Sequence, residues 1–466
     1  MSDRHVIVLG AGPAGLAAAS GALAEGARVT LLDDGDRLGG QYWRHHERLT
    51  DPRLQHGWAA FLALRDALAA ACESGRATVL QRAAVWRIDG EARRVHALVG
   101  TADAPGRRRV EIAGDAIVLA TGAHDRALPL PGWTLPGVIT AGAAQALAKR
   151  DGVVVGRRTL VAGAGPFLLP VAQSLAIAGG EVAAVLEASR MPALAAGWLA
   201  RPWELLGAAG KAGELAEYAA SLARHRTPYR TGHGVVRILG DRRVEGAVIA
   251  RLDAQWRPMA GTEREVACDA VALGHGFMPR IDAALQVGCA VTDAAPGAPR
   301  FVVVDAMQRT SVDGVLAAGE ITGIGGADAA LAEGDLAGRT AAGAAEASLR
   351  RAVRRRDATD AFARRLEDAH GMRDGWRTWL EDDTLVCRCE SVDAGTIARA
   401  AGSASRAMRL ATRAGLGACQ GRTCGAAVEA LCGERLGLDR RPLLAPMRLS
   451  ELADARDAPG DLPSHV

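Results

Sequence analysis

One stretch near the start of the chain limits its possible folds more than any other. Residues 5–34 read HVIVLGAGPAGLAAASGALAEGARVTLLDD, which predicts a strand, a glycine turn, a helix and a second strand. Gly10 permits the tight turn, Gly12 lets the backbone approach a pyrophosphate, and Gly15 lets helix and strand pack closely. Asp33 ends the second strand, where a carboxylate can accept hydrogen bonds from a ribose. This context predicts a dinucleotide-binding unit; the alternative is an ordinary glycine-rich turn.

The pattern occurs a second time at residues 158–189. Gly163 and Gly165 lie in the turn, and Glu187 takes the acidic position. Leu168 replaces the third glycine, and a leucine there is expected to push helix and strand apart or to rotate the helix. The second unit is therefore expected to bind NAD(P), to hold another adenine nucleotide, or to be a structural relic. We favour the alternatives without a redox role.

Two shorter motifs accompany these units. The stretch IVLATGAHDR predicts an apolar strand that ends at Gly122, and TSVDGVLAAGEITG predicts another that ends at Gly319 and Glu320. An acid that follows a glycine at a strand end can bind the ribityl chain of a flavin while nearby backbone holds the pyrophosphate. Both motifs therefore favour a flavin as the dinucleotide of the first unit.

The order of the motifs resembles that of the two-dinucleotide-domain flavoproteins related to glutathione reductase, in which the second domain is inserted into the first. The resemblance covers about residues 5–345 and implies FAD in the first unit. The residues that we expect to bind FAD are Gly10, Gly12, Gly15, Asp33, Gly40, Gln41, Gly122, Gly319 and Glu320. The Gly-Gly turn LGGQYWRHH has no cysteine, and residues 158–275 contain only Cys268, so a disulfide reductase is not expected.

Four of the eight cysteines fall within 38 residues near the end of the chain. They form a C-x-C pair and a C-x4-C pair and are Cys387, Cys389, Cys419 and Cys424. Thiolates bind iron–sulfur clusters and zinc alike, and helices predicted near the pairs would stabilise them. Zinc more often uses C-x2-C and offers a flavin no electrons. We therefore expect a [2Fe–2S] cluster, with zinc as the alternative.

Four longer motifs carry a closer resemblance. CRCE, TRAGLGACQGRTCG, PGWTLPGVITAGAAQ and GIGGADAALAEGDLAG together resemble the flavin-containing A or alpha subunits of heteromeric amine dehydrogenases. That group includes the A subunit of opine oxidase, the B subunit of hydrogen cyanide synthase, and the alpha subunits of D-hydroxyproline and proline dehydrogenases. The C-terminal part resembles [2Fe–2S] domains of the bacterioferritin-associated-ferredoxin type. The resemblance implies a partner subunit similar to D-amino-acid oxidase that oxidises the C–N bond.

The expected fold is α/β: a glutathione-reductase-like flavoprotein with two dinucleotide-binding domains and a small α-helical C-terminal [2Fe–2S] domain. Its expected parts are a FAD domain (1–125 and 276–345), a second dinucleotide-binding-like domain with a helical insertion (126–275), an arginine-rich linker (346–380), the cluster domain (381–445) and a tail (446–466). The linker is expected to be a solvated helix. The helix after the first cysteine pair is expected to be capped by Ser391.

Charge and hydropathy narrow the class of protein further. A net charge of +3 predicts affinity for neither nucleic acid nor membrane. The first residues leave no room for a signal peptide, and no apolar stretch reaches about 18 residues, so no transmembrane segment is expected. A cytoplasmic location follows, with peripheral association at the inner membrane face through the electron acceptor as an option.

These observations predict an oxidoreductase subunit with FAD and [2Fe–2S]. Its substrate would be a small amine or imino acid of the opine, hydroxyproline, proline, sarcosine or glycine class, and the electron acceptor a quinone or respiratory component. The alternatives are a self-sufficient NAD(P)H-dependent flavin reductase and a non-catalytic electron-transfer and assembly subunit. No residue is identified as a catalytic base. Surface or loop roles are favoured for His45, His46, His124 and His275.

Overall fold

The computed structural model of the protein describes residues 4–46, 51–200 and 209–453, so residues 454–466 of the predicted tail lie outside the described part. Its strands are β1 (His5–Leu9), β2 (Arg28–Leu32), β3 (Ala77–Leu80), β4 (Ala83–Asp89), β5 (Arg94–Val99), β6 (Arg108–Ala113), β7 (Ala116–Leu119), β8 (Ala123–Asp125), β9 (Val138–Thr140), β10 (Arg158–Gly163), β11 (Glu181–Glu187), β12 (Tyr229–Thr231), β13 (His233–Leu239), β14 (Gly246–Arg251), β15 (Arg264–Ala267), β16 (Ala270–Gly274), β17 (Phe277–Pro279), β18 (Val315–Ala317), β19 (Leu385–Cys387) and β20 (Val392–Asp393).

The α-helices lie between and after these strands. They are α1 (Pro13–Ala24), α2 (Trp58–Glu73), α3 (Ala141–Asp151), α4 (Leu168–Ile177), α5 (Met191–Leu199), α6 (Ala209–Arg224), α7 (Asp282–Gln286), α8 (Gly326–Ala341), α9 (Arg350–His370), α10 (Ala394–Ala400), α11 (Ser405–Thr412), α12 (Gly425–Cys432) and α13 (Leu449–Ala453). No helix in the described residues is long and apolar enough to cross a membrane.

The first dinucleotide unit is built on a parallel sheet in the order β18-β7-β1-β2-β3. β1 pairs with β2 on one side and with β7 on the other, so the three strands end at one edge. The apolar sequences of β1 and β7 leave almost no exposed residue, because α1 and α8 cover one face of these strands and strands β4, β5 and β6 pack on the other. An antiparallel sheet of β4, β5 and β6 is inserted after β3.

The second unit repeats this plan with the sheet order β12-β11-β10-β16-β9 and an added antiparallel sheet, β13-β14-β15. β8 and β17 pair antiparallel where the chain leaves the first unit and returns to it. The second unit is therefore inserted into the first. This arrangement confirms the predicted two-domain fold.

Helices α1 and α8 are in direct backbone contact over the first sheet. A Cβ atom at Gly334 would overlap the carbonyl oxygen of Ala14, and one at Gly338 would overlap that of Ala18. Glycine is required at both positions because no side chain fits between the two backbones. The contact holds the start of α8 close to the glycine turn that precedes α1.

The arginine-rich segment is less solvated than predicted. It forms α9, whose outer face is charged but whose Ala361, Arg365 and Ala369 are buried. A Cβ atom at Gly197 of α5 would lie only 2.5 Å from the Cα of Ala369. The interpretation as a solvated linker therefore applies to one face of α9 only, because the other packs on the second unit.

The C-terminal part is small and mainly helical, and it packs on both units. The Trp379 indole donates to the Trp256 carbonyl at 2.8 Å, and the main-chain N–H of Leu444 donates to the Trp86 carbonyl at 3.0 Å. The predicted cap at Ser391 is wrong. α10 is capped by Asp393 instead, because the helix begins only at Ala394, after strand β20.

Candidate cofactor sites

The glycine turn of the first unit is tight on one side and open on the other. A Cβ atom at Gly15 would overlap the Gly10 carbonyl oxygen, so the start of α1 lies directly against the turn. Gly12 has an extended backbone, and the atom nearest to a Cβ there would be the Gly40 Cα, 4.0 Å away. The open face of Gly12 at the start of α1 forms a cradle that fits a pyrophosphate.

The carboxylate of Asp33 holds this turn in shape. It accepts hydrogen bonds from the main-chain N–H groups of Ala11 at 2.5 Å and Gly35 at 2.7 Å. Burial raises the pKa of Asp33, against the effect of these two bonds. The acid therefore lies at the expected edge of the sheet; its contact with a ribose stays a prediction.

The Gly-Gly turn lies over the same cradle. The main-chain N–H of Gly39 donates to the Ala11 carbonyl at 2.8 Å, and a Cβ at Gly40 would lie 2.7 Å from the Gly12 Cα. The side chain of Gln41 is exposed and accepts a hydrogen bond from Arg44 at 3.0 Å. Gly40 thus borders the pyrophosphate cradle, while a role for Gln41 stays a prediction.

The opposite end of this crevice holds the other predicted flavin residues. Gly122 has φ +69° and faces open space, whereas Gly319, at φ +82°, packs on the Ala14 side chain. The carboxylate of Glu320 was expected on a ribityl chain. It accepts a hydrogen bond from the main-chain N–H of Gly326 at 2.8 Å, and burial raises its pKa to about 7.

Glu333 of α8 is a second buried acid that the sequence motifs did not single out. Its carboxylate accepts hydrogen bonds from the Gly319 N–H at 2.7 Å and the Thr322 hydroxyl at 2.6 Å. Burial raises the pKa of Glu333 to about 7. The residue fixes the loop after β18; an acid on the small-residue face of a predicted helix was the signal that could have revealed it.

The turn of the second unit contains the same kind of acid, but this acid is covered. Glu187 is completely buried, and its carboxylate accepts from the main-chain N–H groups of Gly165 and Ser189, both at 2.8 Å. The ring Nδ1 of His370, at the end of α9, lies 3.1 Å from the same carboxylate. An adenine nucleotide could use Glu187 only if His370 moved away.

Leu168 changes the start of the helix in this unit. α1 begins directly after Gly12, but α4 begins at Leu168, after two turn residues that follow Gly165. Leu168 is buried against Gly274 at the end of β16. α4 therefore begins farther from its glycine turn than α1 does, while the predicted separation or rotation of helix and strand stays a prediction.

Tryptophans fill the space over this second crevice, which lies at the carboxyl ends of β10, β11 and β16. Ala164 and Ala188 belong to one apolar cluster with Trp256, Trp376 and Trp379. The same cluster extends to Cys387 and Cys424. The chain's own C-terminal part thus occupies the place where a nucleotide would bind an open crevice of this kind.

His275 follows β16 and lies beneath these tryptophans. It is 4% exposed, with its ring centroid 6.3 Å from that of Trp256 and 5.9 Å from that of Trp379. Burial and the nearby Arg126 lower the pKa of His275 to about 3. His275 lies in the short loop between β16 and β17, as one of the two expected roles requires, but it is not on the surface, because tryptophans cover it.

The four clustered cysteines lie together as two contacting pairs. The thiol of Cys419 is within hydrogen-bonding distance of Cys389, and that of Cys424 is within hydrogen-bonding distance of Cys387. All four are free thiols. A Cβ at Gly417 would overlap the Cβ of Cys389. The glycine therefore allows the segment before Cys419 to lie directly against Cys389. Each contacting pair therefore joins one cysteine of the C-x-C motif to one of the C-x4-C motif, and a site made by all four stays a prediction.

The electrostatics of the two pairs differ. Burial and the neighbouring Cys387 raise the pKa of the Cys424 thiol. Burial acts in the same direction on Cys419, but hydrogen bonds from the Thr423 main chain and from Cys389 outweigh it and lower its pKa. Within residues 4–46, 51–200 and 209–453, no group of three or more His, Cys, Asp and Glu side chains is already arranged to hold a metal ion.

The cysteine loop touches the first crevice. Nε2 of His124, two residues beyond Gly122, lies 3.2 Å from the carbonyl oxygen of Arg422, which stands between Cys419 and Cys424. Arg441 forms an ion pair with Asp282, and Arg300 forms one with Asp439, so charged pairs join the C-terminal part to the first unit. The two predicted cofactor sites are thus neighbours.

The chain is similar in sequence to a known family and to subunits of known enzymes. The pyridine nucleotide-disulphide oxidoreductase family matches residues 4–334. The A subunit of opine oxidase from Rhizobium meliloti (strain 1021) is 34% identical over 471 residues, which cover 97% of this chain and 99% of that protein. Hydrogen cyanide synthase subunit HcnB of Pseudomonas aeruginosa is 32% identical over 460 residues, which cover 94% and 93%. Both relatives are named as parts of larger enzymes and align along almost their whole length.

Two solved structures share the fold. L-proline dehydrogenase from P. horikoshii superposes with a TM-score of 0.61 and 19% identity, covering 96% of this chain and 79% of that one. T. acidophilum thioredoxin reductase superposes with a TM-score of 0.51 and 21% identity, covering 73% and 98%. The first similarity extends over the C-terminal part of this chain.

Proposed function

Since this chain belongs to the pyridine nucleotide-disulphide oxidoreductase family, we propose that it is the FAD-containing subunit of a heteromeric amine or imino acid dehydrogenase. It would receive electrons from a partner flavoprotein similar to D-amino-acid oxidase and deliver them to a quinone or respiratory acceptor. Full-length similarity to subunits of opine oxidase and of hydrogen cyanide synthase supports this proposal. We further propose that the protein is cytoplasmic and reaches a membrane only through its electron acceptor.

The first crevice fits FAD. The open faces of Gly12 and Gly122 leave space for a ligand, whereas Gly10 and Gly15 close the turn behind it. Asp33 would hold the ribose end. When bound, FAD supplies a carrier that accepts two electrons at once.

The cysteine set fits a [2Fe–2S] cluster in ligand type and number. Two pairs of free thiols match two irons with two thiolate ligands each. Zinc would also accept four thiolates, but it cannot carry an electron. A bound cluster would supply one-electron transfer beside the two-electron flavin.

One observation supports the electron-transfer role more than any other. The carbonyl of Arg422 in the cysteine loop contacts His124, which follows Gly122 of the FAD crevice. Two redox groups bound at these places would be neighbours inside one packed chain. By contrast, a self-sufficient NAD(P)H-dependent reductase would need an open second crevice, and Glu187 is buried there under His370.

Co-purification tests the proposal. The chain is co-expressed with the product of the adjacent gene and screened with opines, hydroxyproline, proline, sarcosine and glycine, using a dye as electron acceptor. We expect a stable complex that reduces the dye with at least one of these substrates, and neither protein alone should do so. Dye reduction by this chain alone with NADH would contradict the proposal.

A further inference from the structure

The cysteine domain contains one strongly basic stretch. Residues 394–428 contain five arginines and no aspartate or glutamate, whereas the whole chain has 56 basic and 53 acidic residues. The stretch includes α10, α11 and the loop of the second cysteine pair. Its arginines are Arg399, Arg406, Arg409, Arg413 and Arg422. An excess of one charge in so short a stretch creates a local field that the net charge of the chain does not reveal.

α11 directs part of this charge outward. Met408 and Thr412 are buried and hold the helix on the domain. Arg406 and Leu410 lie one turn apart on the opposite side and are exposed, Leu410 by 63%. Arg409 lies beside them and is half-buried. Among the described residues no carboxylate pairs with Arg406 or Arg409, so the helix carries two unbalanced positive charges beside an apolar side chain.

The end of α11 joins this surface to the first cysteine pair. Arg413, the C-cap residue, donates to the Glu390 carboxylate at 2.6 Å, and Glu390 follows Cys389 in the chain. Leu416 is 42% exposed and precedes Gly417, which lies directly against Cys389. The residues of this surface, which we call the basic face, are Arg406, Arg409, Leu410, Arg413 and Leu416.

The cysteines at the basic face are the accessible ones. Cys389 is exposed and Cys419 is half-buried, whereas Cys387 and Cys424 are buried. The buried pair belongs to the apolar cluster over the second crevice. A cluster held by all four thiolates would therefore have one edge inside the protein and the other at the basic face. A second protein can approach most closely at the exposed edge.

We propose that the basic face docks an acidic protein that accepts one electron at a time. The inference rests on the proposed function and narrows its electron acceptor to a protein. Each docking event transfers one electron from the reduced cluster to the acceptor. Two acceptor molecules are thus reduced for every two electrons that leave the flavin, whose protons pass to solvent. The arginines attract the acidic partner, and the two leucines supply apolar contact.

The size of the basic face favours a protein over a membrane surface. α11 has eight residues, whereas many amphipathic helices that lie in a membrane interface have about 20–30. Two arginines without a carboxylate partner also fall short of the roughly four to eight basic residues in clusters that bind anionic lipids. A transient electron-transfer contact between proteins is small by comparison with stable interfaces.

Binding of two redox proteins of opposite charge tests the proposal. The full chain, alone and in complex with its partner flavoprotein, is titrated by calorimetry with an acidic plant-type ferredoxin and with basic cytochrome c. We expect the ferredoxin to bind and the cytochrome not to bind, and the ferredoxin affinity should fall as the salt concentration rises. In the double variant Arg406→Glu/Arg409→Glu the ferredoxin affinity should fall at least about tenfold.

A matched control separates the basic face from net charge. Arg354→Glu/Arg355→Glu makes the same change in net charge on exposed arginines of α9, and its ferredoxin affinity should stay within about twofold of wild type. Leu410→Ser should weaken binding about threefold at low and at high salt, because salt does not screen an apolar contact. If the double Glu variant does not fold, Arg406→Gln/Arg409→Gln, which removes the two charges without reversing them, carries the test.

Four results would overturn the inference. One is a wild-type chain that binds no ferredoxin. Another is an equal loss of affinity in the basic-face variant and in the α9 control. The third is release of the partner flavoprotein from Arg406→Glu/Arg409→Glu, which would assign the basic face to that subunit. The fourth is binding to phosphatidylglycerol vesicles that depends on the same two arginines, which would assign the face to a membrane. A chain that binds ferredoxin as expected but forms no complex with a partner flavoprotein would instead contradict the proposed function itself.

Discussion

The two dinucleotide units have nearly the same turn and the same placement of an acid, but only in the second is the acid covered by a distant part of the chain. Asp33 and Glu187 each accept a hydrogen bond from a main-chain N–H of their own glycine turn. The first turn opens at Gly12, whereas the second lies under α9 and a tryptophan cluster. His370 is the side chain that reaches the acid of the closed unit. The comparison teaches that a binding motif predicts a ligand only where the rest of the chain leaves the motif exposed.

Closure of the second crevice also has a structural consequence. The segment that closes it continues into the cysteine domain, and Cys387 and Cys424 belong to the same apolar cluster as Trp379. The second unit therefore serves as a support that holds the cysteine domain beside the first crevice. In this arrangement the second crevice provides a packing surface for the C-terminal part of the chain.

The largest effect should come from filling the open crevice. In Gly12→Val the backbone is already extended and no protein atom lies within 4 Å of the new Cβ other than the Gly40 Cα, so the protein should fold. The valine would occupy the place of the pyrophosphate, and FAD affinity should fall more than ~100-fold, as expected when several charge-assisted bonds are lost. Flavin content per folded protein measures it. Gly165→Ala changes the corresponding position of the second turn; because Gly165 has φ +112°, this variant should be less stable, but flavin content per folded protein should stay at the wild-type level. Equal losses of flavin per folded protein in both variants would break the comparison.

The two acids should respond differently to removal. Asp33→Ala should weaken FAD binding by roughly 1.5–3 kcal/mol, the contribution of a hydrogen bond to a charged group. Glu187→Ala should leave FAD binding unchanged but lower the free energy of unfolding by about 1–3 kcal/mol, because the Gly165 and Ser189 N–H groups lose their partner. Flavin release and urea unfolding are measured on both variants. Loss of FAD from Glu187→Ala would show that FAD binding in the first unit depends on the acid of the second unit.

The covered histidine should make stability depend on pH. His275 has a pKa of about 3 in the folded chain and about 6.5 when unfolded, so its contribution is complete above pH 6.5 and is lost as the pH falls toward 3. At pH 5 the loss should be about 2 kcal/mol relative to pH 7.5. Urea unfolding of wild type and His275→Phe at pH 7.5 and pH 5 measures this change in the free energy of unfolding. The Phe variant should show a smaller pH dependence; an identical profile would mean that His275 is not covered in solution.

The smallest expected effect is the reduction of the flavin by NADH. Because His370 covers Glu187 and Leu168 displaces the start of α4, micromolar NADH or NADPH should reduce the flavin slowly or not at all. Stopped-flow absorbance of the flavin measures the rate. His370→Ala, which exposes the carboxylate, should increase adenine-nucleotide binding modestly. Rapid reduction of wild-type flavin by micromolar NADH or NADPH would show that the second crevice also binds a nucleotide.

Local spacing was sufficient to predict much of this architecture. The glycine turns, both acids, the order of the units and the start of a helix at Cys424 all depend on residues close in sequence. These features follow from backbone geometry, which neighbouring residues determine.

Contacts between distant segments were not predictable in this way. Nothing near Glu187 indicates that His370 will cover it from 183 residues away. The burial of His275 and the meeting of Lys149 with Tyr42 likewise depend on how separate helices pack. Ser391 was predicted as a cap, but the capping carboxylate is that of Asp393 because strand β20 comes first.

Substitution of a predicted cluster ligand should separate iron binding from FAD binding. Cys419→Ser should abolish iron binding while FAD stays bound, because the cysteine loop contacts the crevice without forming its cradle. Cys432→Ser, at the end of α12, is the matched control and should keep both cofactors. Iron, sulfide and flavin analysis of the two variants measures it. Loss of FAD together with iron in Cys419→Ser alone would show that the two sites depend on each other.

Cofactor analysis of the wild-type protein tests the central claim most directly. Protein purified anaerobically is analysed for flavin, iron, acid-labile sulfide, zinc and released nucleotide, with EPR after dithionite reduction. One open crevice and one set of four cysteines predict one FAD and one [2Fe–2S] cluster per chain, with no second nucleotide. Stoichiometric zinc without iron, or a nucleotide released in addition to FAD, would contradict the account.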